Sequence, residues 1–137
     1  LKHLSCEACH LAHLPDDLPP LLVHLNCSYN TIAALPGAQL PPNLTHLLCS
    51  LNILRRLPDL PRTLQHLDCQ WQKTHDMEEL PALHDTALEY LDCSDNGLTS
   101  LPDLPDSLRW LFCGGNAFTE EAKTMIRRSK AFIIIGL

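Results

Sequence analysis

Four copies of a His-Leu-x-Cys tetrapeptide combine the two side chains that most often bind zinc in proteins. The copies begin at His3, His24, His46 and His66. In an extended strand, residues three positions apart point to opposite faces. The histidine and the cysteine of one copy therefore cannot hold the same ion, and we expect no zinc site within a tetrapeptide.

The four histidines form a column if the strands that carry them lie side by side. Adjacent parallel strands are about 4.8 Å apart, which brings neighbouring imidazoles close together. Two or three rings could reach one ion through Zn–N bonds of about 2.0–2.1 Å, but a flat column does not converge on a point. The sequence therefore favours a side-chain ladder and predicts neither a metal nor a cofactor. A second hypothesis is pH sensing, because close imidazoles oppose one another's protonation.

Six of the seven cysteines recur at intervals of 20–24 residues, at Cys6, Cys27, Cys49, Cys69, Cys93 and Cys113. A catalytic thiol needs an electropositive, partly exposed setting and usually a nearby base. These cysteines instead share strand parity with leucines and have no base on the same face. We expect them to pack in a core as free thiols, which is typical of a reducing compartment.

One pattern surrounds each of these cysteines, L-x-x-L-x-C-x-x-N-x-L-x-x-L-P-x-L-P. Self-similarity at this period is typical of a solenoid in which every unit forms one coil. The fourth-position leucine and the sixth-position cysteine point into the core, and the ninth-position asparagine turns the chain. The two prolines keep the return segment extended. The pattern predicts a parallel β-sheet on a concave face, an irregular convex side and a gently curved stack of coils.

This unit resembles the short leucine-rich repeats of bacterial secreted effectors of the YopM and IpaH type, which carry the same L-P-x-L-P. The resemblance covers residues 1–118 as about six units, although cysteine stands where that group usually has an aliphatic residue. The ubiquitin-ligase domain of the IpaH members has no counterpart in this sequence. The resemblance implies a leucine-rich repeat solenoid that binds a protein of the host. It also implies an effector that leaves the bacterial cytoplasm and acts in the host cytoplasm.

The fourth unit departs from the pattern. Gln72 stands in place of the asparagine, and about four extra residues precede Leu88. Insertions into such repeats fall on the convex side, and we expect residues 75–79 to form a short helical turn there. In the first unit Cys9 stands at the asparagine position, where a thiol is a poorer hydrogen-bond donor than an amide.

The repeats end at Phe118, and residues 119–137 are predicted to form a C-terminal cap. Thr119 can cap a helix with two glutamates in its first turn and basic residues near its end. Its predicted apolar face is formed by Ala122, Met125 and Ile126. The run at residues 132–135 is expected to cover remaining apolar surface or to pair with another chain. At the other end Leu1 already lies within a unit, so we expect further residues before it in the native protein.

Charge and composition argue against several classes of function. A net charge of −6 does not suit a nucleic-acid binder, and no apolar run approaches the roughly 18 residues of a membrane span. No nucleophile with a base and no glycine-rich phosphate loop is evident, so the sequence predicts no enzyme. The alternative is a targeting or substrate-binding domain of a larger effector enzyme. The sequence does not indicate the oligomeric state.

The predicted binding surface is the concave face, defined as the third, fifth, seventh and eighth positions of the units. Both tryptophans and both tyrosines fall on it, and these residue types are frequent in binding hot spots. The predicted partner-binding residues are Tyr29, His24, His46, His66, Asp68, Trp71, Tyr90, Asp92, Asp95, Trp110 and Phe112. The acids favour a protein or peptide with basic character. A second interpretation is that the C-terminal segment covers Trp110 and Phe112.

Overall fold

The computed structural model describes residues 1–37, 39–131 and 133–137, and it shows one coil for each unit. Each coil contributes a three-residue strand, and the elements are β1 (His3–Ser5), β2 (His24–Asn26), β3 (His46–Leu48), β4 (His66–Asp68), β5 (Tyr90–Asp92), β6 (Trp110–Phe112), α1 (Glu120–Arg127) and β7 (Ile133–Ile135). All seven strands pair in parallel and in chain order. Equivalent positions of the units lie side by side, as in the pairing of His3 with His24. The predicted parallel solenoid with a C-terminal helix is confirmed.

The core is a stack of leucine layers with a column of cysteines. The central strand leucines from Leu25 to Leu111 are fully buried, and Leu4 of the first coil packs against them. Five of the six repeated cysteines, from Cys27 to Cys113, have no exposed surface and are free thiols. Burying a leucine side chain stabilises a fold by about 1.5–3 kcal/mol. The predicted core packing of the cysteines is therefore confirmed, and Cys6 of the first coil packs against the core while remaining half-buried.

Ninth-position amides connect adjacent coils. The side-chain nitrogen of Asn52 donates to the carbonyl oxygens of Cys27, Cys49 and Ser50 at 3.0–3.2 Å. Its side-chain oxygen accepts from the backbone N–H of Ile32 at 3.0 Å. One buried amide thus satisfies backbone groups of two coils, which explains why the position is polar in a leucine-rich interior.

Gln72 makes the same connections in the fourth coil. Its Nε2 donates to the carbonyl oxygens of Cys49 and Cys69, both at 3.1 Å, and its Oε1 accepts from the N–H of Leu54 at 2.9 Å. Gln72 is fully buried. Gln72 therefore replaces the asparagine without interrupting the amide ladder, the column of ninth-position side chains that connects the coils.

The predicted helical turn at residues 75–79 is wrong. This segment has no regular structure, and the side chain of Met77 is fully buried in the core. The carbonyl oxygen of Met77 accepts from the N–H of Gly97 at 3.2 Å. The backbone of the insertion therefore bonds to the next coil rather than to itself. Asp76 forms an exposed ion pair with Arg55 at 3.6 Å.

Helix α1 follows the sixth coil and begins as its sequence predicts. The side-chain oxygen of Thr119 accepts from the N–H of Ala122 at 3.1 Å, which caps the first turn. Ala122 and Ile126 are buried, but Met125 is 59% exposed and does not belong to the packed face. Within the described residues, no helix is long and apolar enough to cross a membrane.

The C-terminal segment extends the sheet as its seventh strand. The N–H of Ile133 donates to the carbonyl of Arg109, and the N–H of Cys113 donates to the carbonyl of Ile135. Ile134 packs against the core, whereas Ile133 and Ile135 point outward. The segment therefore continues the concave face, which the sequence did not predict. Phe132, part of the same prediction, lies outside the described residues.

Candidate functional site

Third-position side chains form a ladder of rings along the concave face. Ring centroids are 5.7 Å apart from His3 to His24 and 5.3 Å apart for each of the next two pairs, ending at His66. The last pair, His66 and Tyr90, is the tightest, at 4.1 Å with nearly parallel rings. The predicted ladder is confirmed. Among the residues that the structure describes, no three or more histidines, cysteines or acids are arranged to hold a metal ion.

Histidine and cysteine of one tetrapeptide lie on opposite sides of the sheet, as strand parity requires. Cys69 is fully buried, whereas His66 is partly exposed on the concave face. The contacts of the ring nitrogens are local. The Nδ1 of His46, for example, lies 2.9 Å from the hydroxyl of Thr45. The tetrapeptide therefore has two separate roles, one in the core and one on the surface.

The ladder disfavours positive charge. Partial burial lowers the pKa of His24, and the neighbouring His46 and His3 lower it further. Burial also lowers the pKa of His66, with His46 and His24 adding to the effect and Asp92 opposing it. Desolvation and like charges act in the same direction here, since both penalise the imidazolium.

Eighth-position residues adopt a left-handed backbone. The φ angles of Tyr29, Leu51, Trp71 and Asp95 lie between 50° and 57°, and Gly115 has the corresponding angle of 67°. For residues other than glycine this conformation costs roughly 1–2 kcal/mol. Nevertheless, Tyr29 and Trp71 are 53% and 50% exposed, so burial of their side chains does not compensate fully. Two large aromatic side chains thus stand where glycine would be less strained.

The fifth-position acids are partly used by their own coils. The Oδ1 of Asp68 accepts from the N–H of Gln70 at 3.2 Å, and the Oδ1 of Asp92 accepts from the N–H of Ser94 at 3.0 Å. Asp92 is only 7% exposed and offers little contact surface, and its role in partner binding stays a prediction. Desolvation raises the pKa of Asp68, and the charge of Asp92 adds to this although the Gln70 bonds oppose it.

No cation neutralises the acids of this face within the described part of the chain. The ion pairs there involve other carboxylates, at Asp76, Asp85, Asp106 and Glu120. Asp68 and Asp95 remain partly exposed. The C-terminal half of the concave face therefore combines aromatic surface with unpaired negative charge.

The seventh position contributes less to the surface than predicted. Ser28 and Ser50 are buried, and the hydroxyl of Ser50 donates to that of Ser28 at 3.1 Å. The left-handed residue follows this position directly, where the chain leaves the strand. The accessible concave face consists mainly of third-, fifth- and eighth-position side chains.

Trp110 and Phe112 remain on the concave face beside the C-terminal strand. Trp110 is 45% exposed and Phe112 is half-buried, with its ring 5.4 Å from that of Tyr90. β7 pairs alongside them, matching Trp110 with Ile133 and Phe112 with Ile135. The interpretation that this segment covers both residues is wrong for Trp110. Sequence reasoning missed the outward isoleucines, although a run of β-branched residues is a strand signal.

The stacked leucine layers, the ninth-position amides and the parallel sheet give this chain the fold of a leucine-rich repeat solenoid. The family model described as Leucine Rich Repeat matches residues 87–111. Among solved structures, YopM from Yersinia enterocolitica WA-314 is similar, with a TM-score of 0.81 and 37% sequence identity. The match covers 87% of this chain and 25% of the YopM chain, so this chain spans about a quarter of its length. No curated protein matches the sequence.

Proposed function

We propose that this chain is a protein-binding module that recognises its partner through the concave face. The observation that carries the proposal is the exposure of three large aromatic side chains, Tyr29, Trp71 and Trp110, on the concave face. Buried aromatic anchors dominate the energetics of many interfaces. Two of the three also occupy left-handed positions, where their backbone strain has no evident structural benefit.

The proposed mechanism is preorganisation. The amide ladder and the leucine core hold each coil in place, so the side chains of the face lose little freedom when a partner binds. The partly exposed carboxylates of Asp68 and Asp95 favour a partner with lysine or arginine side chains. A cationic side chain of the partner that lies against the indole ring of Trp71 would be stabilised further by about 0.5–2 kcal/mol, depending on how far it is desolvated.

The proposed setting is that of a bacterial effector. The resemblance of the repeats to those of secreted effectors supports export and action in the host cytoplasm, with a host protein as partner. The fold supports a scaffold that binds rather than catalyses. A net charge of −6 favours a protein partner over nucleic acid.

A replacement by glycine tests the proposal with little risk to the fold. Trp71→Gly removes the side chain at a position whose φ of 50° suits glycine, so the folded chain should keep its stability. A candidate partner is first isolated from host-cell lysate on the immobilised chain and then purified. Its affinity is measured by intrinsic fluorescence, because both tryptophans lie on the concave face.

We expect Trp71→Gly to weaken binding about 30-fold or more, the size of a typical hot spot. The control is Met125→Ala on α1, which removes an exposed apolar side chain away from the concave face. The control should bind as the unmodified chain does. Equal affinity of all three proteins would show that recognition occurs elsewhere.

A further inference from the structure

The ring ladder runs along the concave face through four consecutive coils, from His24 to Tyr90. His24, His46 and His66 stand one above another at 5.3 Å, and Tyr90 closes the ladder at 4.1 Å from His66. Each ring is partly exposed to solvent. The ladder therefore joins the histidine-rich N-terminal half of the face to its acidic, aromatic C-terminal half.

We propose that the stacked rings of His24, His46 and His66 form a proton-responsive element, in which a proton gained by one ring as the pH falls hinders protonation of the ring stacked on it. The concave face then changes from neutral and acidic to partly cationic. A partner with basic character is consequently released by acidification. This last consequence rests on the proposed function, whereas the coupled protonation of the rings does not.

The stacking geometry is the physical basis of the coupling. Two imidazolium rings at 5.3 Å repel each other even in water, so protonation of one ring hinders protonation of the next. His46 has a histidine on both sides and is therefore the central member. The ordinary pKa of histidine lies close enough to neutrality for modest effects to matter at physiological pH.

Other charged and titratable groups around the ladder act in both directions. His3 on β1 adds to the repulsion at one end and lowers the pKa of His24. The carboxylate of Asp92 favours the protonated form of His66, but burial and the other histidines outweigh it. Tyr90 and Asp68 border the ladder at its other end, and burial followed by the charges of Asp92 and Asp68 raises the pKa of Tyr90. The phenol is therefore neutral throughout the range in which histidine titrates.

The test is a titration of the individual imidazole resonances by NMR between pH 8 and 5. His46→Gln removes the central imidazole, which lowers the pKa of both neighbours, so we expect the midpoints of His24 and His66 to rise. The control is His13→Gln, which alters an exposed histidine outside the ladder and should leave both midpoints unchanged. Unchanged midpoints of His24 and His66 in His46→Gln would overturn the proposal, because the rings would then titrate independently.

A second measurement connects the ladder to recognition. The affinity for the purified partner is compared at pH 7.5 and 5.5, with the chain and with a triple variant carrying glutamine at positions 24, 46 and 66. We expect weaker binding of the chain at pH 5.5 and a smaller change for the triple variant, after its circular dichroism has confirmed the fold. An equal pH effect in both proteins would overturn release by the ladder. The NMR titration of the chain itself needs no partner, so failure of the proposed function is distinguishable from failure of the coupling.

Discussion

At the scale of single residues, the ninth-position amides are the main polar contacts between coils. Each amide hydrogen-bonds to carbonyl groups that follow the short strands. The surrounding interior consists mainly of leucine and cysteine side chains. Asn52 and Gln72 reach equivalent backbone atoms despite their different lengths. The hydrogen-bonding pattern of the position therefore matters more than the identity of the side chain.

Asn52→Ala tests the contribution of one amide. The change leaves the buried N–H of Ile32 without its partner and removes one of the hydrogen bonds of each of three carbonyls. We expect a loss of about 3 kcal/mol in the free energy of unfolding. The measurement is urea denaturation followed by circular dichroism. Asn43→Ala on the exposed surface is the control and should change the free energy of unfolding little. Equal effects of the two substitutions would contradict a structural role for the ladder.

Strand parity alone predicted which side chains face the core and which face solvent at this scale. It placed His66 outside and Cys69 inside, as the structure shows. It did not predict the burial of Asp92 or the left-handed backbone of Trp71. Those properties depend on how the chain turns after the strand and on which neighbours cover it, and the alternation of faces along a strand predicts neither.

At the scale of elements, the last strand shows how a short apolar segment finds its place. β7 docks on β6 through backbone hydrogen bonds and through a close approach between Gly114 and Gly136. Gly136 has a φ of 97°, and a Cβ there would collide with the backbone of Gly114. The absence of side chains at Gly114 and Gly136 therefore allows β7 to approach the sixth coil closely.

Gly136→Ala is expected to loosen β7 without unfolding the repeats. The left-handed backbone alone costs an alanine roughly 1–2 kcal/mol, and the collision with Gly114 adds to this. Hydrogen exchange should therefore accelerate at the N–H groups of Cys113 and Ile133. Gly37→Ala is the control, because a Cβ at Gly37 meets no atom within 4 Å. Slow exchange at both amides in Gly136→Ala would argue against this packing role.

The elements were only partly predictable. The repeat period gave the six strands, and the capping pattern at Thr119 gave α1. The seventh strand and the course of the fourth-unit insertion were not obtained, because both segments bond to a neighbouring coil rather than within themselves. Local sequence signals do not report such partners.

At the scale of the whole molecule, the buried thiols form a column that runs the length of the core. Burial raises the pKa of Cys27 to about 12 and that of Cys113 to about 11, with neighbouring charges adding to both. Desolvation likewise raises the pKa of Cys49, Cys69 and Cys93. The folded chain therefore keeps thiol protons that the unfolded chain loses near its ordinary pKa of 9.0.

We expect the free energy of unfolding to fall as the pH rises above about 9, because the folded state binds more protons than the unfolded state there. Each thiol that stays protonated contributes a slope of about 1.4 kcal/mol per pH unit. The measurement is urea denaturation at pH 7.5, 9 and 10, under reducing conditions. Cys49→Ala removes one buried thiol, so the slope of the free energy of unfolding against pH should become smaller by about 1.4 kcal/mol per pH unit. Equal stability at pH 7.5 and 10 would contradict this role of the thiols.

Every strand pairs only with its neighbours in chain order, from β1 to β7. Under tension applied between the two ends, the sheet is therefore loaded coil by coil, although the Nζ of Lys73 donates across a coil to the carbonyl of Asn30 at 2.9 Å. Each coil that yields releases the segment between paired positions such as His3 and His24, which extends to about 70 Å of chain. The molecule would behave as a spring that lengthens in discrete steps, one coil after another, and the intact coils would keep their part of the concave face.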